Sequence, residues 1–307
     1  MKLIYVVTNS DESIKQILKN KFNMSDRFIL KLKNSNSIYI NDVPVFINYK
    51  IQPNDILTII ENSKEESSNI VPNPNIKLNV LYEDDFLLIV NKPSDLPVHP
   101  SILHYKDSLS NAVKYHFNKI GLQKKIRPVN RLDKDTSGIV IFAKNEYIQE
   151  CLVKQMKSNI FKKKYFAVLS GVLDKDSGTI SAPIGRKNDS IIEREIRNDG
   201  DLAISHYKVL KRFNNMSLVE YTLETGRTHQ LRVHSKYIGH PIVGDSLYGS
   251  ESLLISRQAL HAYEVSFIHP ISKEKMIIHS DLPDDIKNLI NKSENWLFII
   301  FNLNNFL

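Results

Sequence analysis

The stretch Asn130-Arg131-Leu132-Asp133-Lys134-Asp135-Thr136-Ser137-Gly138 runs directly into Ile139-Val140-Ile141-Phe142-Ala143. Mostly polar, turn-forming residues here deliver the chain into a short apolar run, the pattern of a buried strand entered through a turn. Asp, Thr and Ser side chains satisfy backbone groups at such an entry, so the plain reading of the loop is structural. The chemical reading is a carboxylate, Asp133, held in place at the mouth of a strand. Asp133 and Asp135 suggest a cation, but a calcium loop of the EF-hand type needs more oxygen ligands and a closing Glu.

Outward from this loop, Val80–Pro93 holds two β-rich stretches around an acidic turn, and 165–171 and 217–223 are further strand candidates. Helical spacing covers Ser108–Phe117 and Tyr147–Lys157. A third helix is expected after Thr228 as its N-cap, with Leu231, His234 and Ile238 on one face. Strands outnumber helices and do not alternate with them. The fold class expected is therefore α+β, a mixed and mainly antiparallel sheet with flanking helices rather than a doubly wound fold.

Residues 62–75 are polar, aperiodic and carry Pro72 and Pro74, as a linker does. The expected domains are 1–62, a 63–77 linker, a 78–292 body and a 293–307 apolar tail. In the first, Ser13 caps a helix carrying Ile14, Ile17, Leu18 and Phe22, and Ser25 caps a second with Phe28, Ile29 and Leu32. Strands follow at 37–45, around an Asn41-Asp42 turn, and at 55–60. Between Lys15 and Lys33, six basic residues face one acid, Asp26. They read as a solvated helix face or as a surface that tracks an RNA backbone. The tail from Trp296 is too short to span a bilayer. It reads as a terminal strand packed on the body, with an oligomer contact as the alternative.

The 41 Lys+Arg against 34 Asp+Glu give a formal charge of +7, which favours a polyanionic partner. The single cysteine, Cys151, excludes an intramolecular disulfide and a cysteine-based zinc finger. The N-terminus has too short an apolar run for a signal peptide, so a cytoplasmic protein is expected, and a monomer.

Two more segments could carry chemistry. Phe161-Lys162-Lys163-Lys164-Tyr165 delivers three lysines into a strand. Thr225-Gly226-Arg227-Thr228-His229-Gln230-Leu231-Arg232-Val233-His234 joins a glycine turn to a helix start. His229 and His234 are five apart, off the spacing that puts two metal ligands on one helix face, and read as structural. No metal is expected.

In order and over nearly the whole body, these segments resemble the RluA family of pseudouridine synthases. The likeness runs from Tyr82–Pro93 through Arg131-Leu-Asp133-x-x-Thr136-Ser137-Gly138, Lys164-Tyr165-x-Ala167 and the Thr225–Ser235 segment. It continues through Gly239-His-Pro-Ile-Val-Gly244-Asp-x-x-Tyr248-Gly249 to Leu260-His261-Ala262. The N-terminal segment resembles the S4 RNA-binding domain, though Asn36 and Ser37 stand where most such domains carry Gly. Asn130 stands where many RluA relatives have His, and Asp95 where a Lys-Pro-x-Gly turn has its glycine.

The resemblance implies an RNA uridine isomerase that needs no cofactor. It implies Asp133 as catalytic carboxylate, Arg227 as its ion-pair partner, and Tyr165 lying against the target uracil. Leu231 would wall the base pocket, Arg131 would enter the space left by the flipped nucleotide, and Lys164, within its lysine run, would contact phosphate. Whether Asp133 attacks the base, attacks C1′ or removes a proton at C2′ stays open. Large-subunit ribosomal RNA is the expected substrate, with transfer RNA as the alternative. Two rival readings are a non-catalytic RNA-binding factor of the same fold and a sugar hydrolase using Asp133 with Asp135.

Overall fold

A computed structural model describes residues 1–8, 12–61 and 69–303, with side chains described as far as Ser293. In chain order the N-terminal elements are β1 (Lys2–Val6), α1 (Ile14–Asn20), α2 (Asp26–Asn34), β2 (Ile38–Ile40), β3 (Val43–Pro44) and β4 (Ile56–Ile60). The body then runs β5 (Asn79–Glu83), β6 (Leu87–Lys92), α3 (Leu109–Lys119), β7 (Arg127–Pro128), β8 (Ser137–Ala143), α4 (Glu146–Lys157) and β9 (Lys162–Ser170). Next come β10 (Ser177–Ser181), β11 (Ile184–Arg186), β12 (Arg194–Ile196), β13 (Ile204–Arg212), β14 (Met216–Leu223) and α5 (Gln230–Tyr237). The chain closes with β15 (Leu260–Ile268), β16 (Lys275–His279) and α6 (Asp284–Leu303).

The body is built on one sheet in the order β10-β13-β14-β9-β15-β8-β6-β5, with β16 beside β15 and β7 beside β8. Among the described strands only β8 and β15 pair in parallel. This is the mixed, mainly antiparallel α+β sheet that the sequence pattern implies.

The apolar run after the Asp133 loop is the centre of this sheet. Successive side chains of a strand point to opposite faces, and here both faces are covered. Val140 and Phe142 join Leu88 and Val90 against α3 residues Leu109, Val113 and Phe117. Ile139, Ile141 and Ala143 join Leu87 and Ile89 against Tyr147, Ile148 and Leu152 of α4. Each fully buried Ile or Leu contributes roughly 1.5–3 kcal/mol, so β8 anchors the loop that precedes it.

Ser13 and Ser25 cap α1 and α2 as expected, Ser13 through a reciprocal capping box with Gln16. A strand at the extreme N-terminus, β1, was not evident from composition; it pairs antiparallel with β4. The N-terminal unit does not stand apart from the body, because its apolar face merges with the α4 side of the main sheet in one core. Phe28 stacks on Tyr147 with centroids 5.7 Å apart. The Tyr147 hydroxyl donates to Phe22 O (2.8 Å), and Ser25 Oγ donates to Glu150 (3.0 Å).

Residues 62–68, which include the start of the expected linker, lie outside the described residues. Beyond them, Asn73 N bonds Asn111 O, and Ile70 and Ile76 pack on the core, so this stretch is tethered to the body. The tail corrects the expectation of a terminal strand: its described backbone continues α6 to Leu303. An Asp284-Asp285 start suits the positive end of a helix, and the apolar run simply prolongs it. Residues 304–307 lie outside the described residues, and no described helix is long and apolar enough to cross a membrane.

Candidate active site

The Asp133 loop is gripped residue by residue. Lys92, fully buried at the end of β6, donates from Nζ to Lys134 O (2.8 Å), Pro93 O (2.8 Å) and Leu96 O (2.7 Å). Burial pulls its pKa down to about 7 despite the opposing charge of Asp135. Arg257 Nη1 donates to Asp135 O (3.0 Å), and Gln258 Nε2 donates to Thr136 Oγ1 (3.2 Å). Ser137 Oγ meets His261 Nδ1 at 2.9 Å. Asn130 bridges Ile139 O and Ile141 N with its amide (both 2.9 Å) and locks the loop stem to β8. Asp95 takes φ 58°, a left-handed value that glycine adopts without steric cost.

Gly138 fixes how the loop meets the rest of the site. Its φ is +118°, and a Cβ there would lie 2.2 Å from Ala262 O. On β15, Ala262 is the register partner of Gly138 on one side and of Tyr165 on the other. The strand that carries Tyr165 is thereby set one strand away from the loop that carries Asp133.

Asp133 lies on a cleft of about 780 Å³ also lined by Arg131, Tyr165, Arg227 and Leu231. Its Oδ2 accepts from Arg232 Nη1 at 3.2 Å. The same guanidinium forks onto Asp245, with Nε to Oδ2 at 2.7 Å and Nη2 to Oδ1 at 2.9 Å. Asp245 is fully buried and takes further bonds from the Leu247 and Tyr248 amides (3.1 Å each). Burial disfavours the Arg232 cation, yet Asp245 and Asp133 more than offset this and raise its pKa above the usual arginine range. A forked, charge-assisted pair of this kind fixes direction as well as charge, so Arg232 aims Asp133.

The resemblance assigned that partnership to Arg227, and the geometry corrects it. Arg227 lines the cleft, but its Nε donates to Leu202 O (3.0 Å) and its Nη1 lies 3.5 Å from Asp201. The cause is the turn before α5. Gln230 Oε1 accepts from Arg227 N (2.9 Å) and Thr225 Oγ1 (2.8 Å), while Gln230 Nε2 donates to Ile204 O (3.0 Å). That knot directs Arg227 toward the 201–202 loop and leaves the first helical turn to present Arg232. The helix begins at Gln230, with His229 rather than Thr228 at the N-cap position, in a left-handed conformation (φ 57°).

Lys164 is a second correction. Alternation along β9 puts Lys163 and Tyr165 on the cleft, while Lys164 turns away to Glu264 (3.4 Å) and Glu220 (3.9 Å). Among the described residues Lys163 has no hydrogen-bond or ion partner, and burial lowers its pKa. Tyr165 is buried; burial, helped by the Asp133 charge, raises its pKa, so it remains a neutral phenol. Leu231 is buried in the wall, and Arg131 is exposed at the rim. Asp135, the second carboxylate that a hydrolase would need, does not line the cleft. No cluster of metal-ligating groups occurs among the described residues.

Comparison with known proteins agrees with this geometry. The profile of the RNA pseudouridylate synthase family matches residues 86–237. The chain is 39% identical over 273 residues to the uncharacterized RNA pseudouridine synthase YjbO of Bacillus subtilis, covering 89% of this chain and 96% of the relative. It is 37% identical over 244 residues to the ribosomal large subunit pseudouridine synthase D of Nitrosomonas europaea, covering 76% and 69%. Among solved structures, the human RNA pseudouridylate synthase domain containing 1 superposes with a TM-score of 0.56 at 26% identity, covering 68% of this chain and 85% of that one. The chain belongs to the RNA pseudouridine synthases of the RluA family, isomerases that act on RNA.

Proposed function

We propose that the chain converts uridines of large-subunit ribosomal RNA to pseudouridine, with Asp133 as the catalytic carboxylate. The observation that carries this reading is the Arg232-held Asp133 in one cleft with Tyr165 and Leu231. The substrate class comes from relatives named ribosomal large subunit pseudouridine synthase D.

The reaction breaks the N1–C1′ bond, turns the uracil and joins C5 to C1′, with C5 giving up its proton and N1 taking one up. Attack on the base, attack on C1′ and proton removal at C2′ all need an ionised oxygen facing the nucleotide. With Oδ2 turned to Arg232, that oxygen is Oδ1. The neutral Tyr165 phenol lies against the uracil and Leu231 walls it. The exposed Arg131 enters the space left by the flipped nucleotide, whose reacting atoms cannot be reached inside a stack. Lys163 takes over the phosphate contact first assigned to Lys164, adding affinity without sequence information.

The N-terminal unit is an S4-like RNA-binding domain in this reading, its α1–α2 lysines tracking the backbone. Part of that charge is already matched: Lys19 and Lys15 lie 2.8 and 3.5 Å from Asp26, and Arg27 lies 3.6 Å from Glu146. The test is pseudouridine mapping of ribosomal and transfer RNA from cells with and without the gene, the latter complemented by wild type or Asp133→Asn. Wild type is expected to restore sites in ribosomal RNA that Asp133→Asn does not, although purified Asp133→Asn binds RNA as wild type does. Sites restored by Asp133→Asn would overturn the role of Asp133, and sites confined to transfer RNA would overturn the substrate.

A further inference from the structure

The Asp133 carboxylate has a second neighbour besides Arg232. His229 Nε2 lies 4.0 Å from Asp133 Oδ1, on the oxygen that Arg232 leaves open. The opposite ring nitrogen, Nδ1, lies 2.7 Å from the Tyr248 hydroxyl, and the two rings meet edge to face at 5.5 Å. That hydroxyl also accepts from the Arg194 amide of β12 at 2.8 Å.

The direction of these bonds follows from what each group can do. A backbone N–H only donates, so the Arg194 amide occupies a lone pair of the Tyr248 oxygen. The hydroxyl proton needs an acceptor, and among the described residues the one at hand is His229 Nδ1. With Nδ1 accepting, the proton of a neutral imidazole sits on Nε2, the ring nitrogen 4.0 Å from Asp133 Oδ1. Burial lowers the pKa of His229, which keeps the ring neutral. Its backbone is held in the left-handed region, which L side chains enter at a steric cost, and its side chain caps nothing in α5. Neither helix capping nor backbone ease accounts for a histidine at this position.

We propose that His229 is a positioning residue for Asp133, presenting an Nε2–H toward Oδ1 in a tautomer set by Tyr248 and the Arg194 amide. Arg232 then fixes one carboxylate oxygen and His229 steers the other, the one left to meet the nucleotide. This role rests on the reading of Asp133 as the catalytic carboxylate.

The test uses the full chain labelled with ¹⁵N-histidine, and tritium release from transcripts of large-subunit ribosomal RNA and transfer RNAs made with 5-³H-uridine. In wild type the His229 ring, assigned by its loss in His229→Gln, is expected to carry its proton on Nε2. Tyr248→Phe, which preserves the ring packing, should mix the tautomers and lower kcat roughly 10- to 100-fold with KM little changed. His229→Gln, whose amide can still offer an N–H, should keep more turnover than His229→Ala. An Nδ1-protonated ring in wild type would overturn the proposal. So would unchanged tautomer and kcat in Tyr248→Phe, or equal losses in the Gln and Ala variants. Asp133→Asn is measured beside them: if it turns over, the reading of Asp133 fails. If it is inactive while Tyr248→Phe is unaffected, only the role of His229 fails.

Discussion

Arg232 and Asp133 meet at 3.2 Å through Nη1, while the other two nitrogens of the same guanidinium fork onto the buried Asp245. One side chain thus couples the α5 start, the loop that follows it and the Asp133 loop. The direction of the carboxylate is a property of this three-residue array rather than of its own loop.

Removing Arg232 should therefore cost both fold and chemistry. Arg232→Met leaves the buried Asp245 without its cation, holding only the Leu247 and Tyr248 amide bonds, a loss of about 3–5 kcal/mol. Arg232→Lys keeps the charge but cannot fork, and kcat should fall about 100-fold as Asp133 drifts. Arg227→Met, at a half-exposed site with a weak pair to Asp201, should change stability by less than about 1 kcal/mol. Urea midpoints and tritium-release kinetics on the three variants check this ranking. A larger loss of kcat in Arg227→Met would return the partner role to Arg227.

The same array shows what could be read from the chain alone. The Asp133 loop, the strand after it and the Tyr165 strand were legible because alternation and turn residues are local signals. Arg232 stood inside the quoted segment yet was passed over, since its assignment depends on where α5 begins. That start is set by Gln230 side-chain bonds to Thr225, Arg227 and Ile204, which no spacing rule encodes. Lys163 against Lys164 is a one-residue choice of strand face, open to the period-two rule once Tyr165 is taken as inward. The tail went astray for a different reason: a short apolar run suits strand or helix, and continuity with the Asp284 start decides it.

Lys163 and Lys164 should separate in RNA binding. Lys163→Met removes from the cleft a cation with no partner among the described residues, whereas Lys164 is already matched by Glu264 and Glu220. The slope of log affinity against log salt should fall by about 0.7–0.9 for Lys163→Met, the value of one phosphate contact. It should stay near wild type for Lys164→Met. Filter binding of ribosomal RNA transcripts over a salt series measures both slopes, and equal slopes would place both lysines outside the phosphate contact.

His261 gives the fold a pH dependence. Burial lowers its pKa to about 4 against an ordinary 6.5, so between these values the unfolded chain binds the proton and the folded one does not. The sign is that stability is full above about pH 6.5 and is lost as pH falls toward 4, by an amount on the order of 3 kcal/mol. His99, His229 and His234, also lowered by burial, act in the same direction. Urea midpoints at pH 7.5 and pH 5 should therefore differ for wild type, and differ less for His261→Gln. An equal drop in the variant would assign the dependence to the other histidines.

Gly138 should tolerate no side chain. In Gly138→Ala the new methyl would meet Ala262 O at 2.2 Å, at a φ of +118° that alanine rarely adopts, so β15 must move. Because Ala262 also pairs with Tyr165, that movement shifts Tyr165 relative to Asp133. The expected result is a stability loss above about 3 kcal/mol and a kcat that falls further than RNA affinity. Gly121→Ala is the comparison: its φ is +72°, but a Cβ there meets nothing within 4 Å. It should lose only the backbone cost of about 1–2 kcal/mol and keep full turnover. Thermal unfolding with tritium-release kinetics on both variants separates backbone strain from displacement of β15. Equal effects of the two substitutions would show that β15 does not transmit the position of the Asp133 loop to Tyr165.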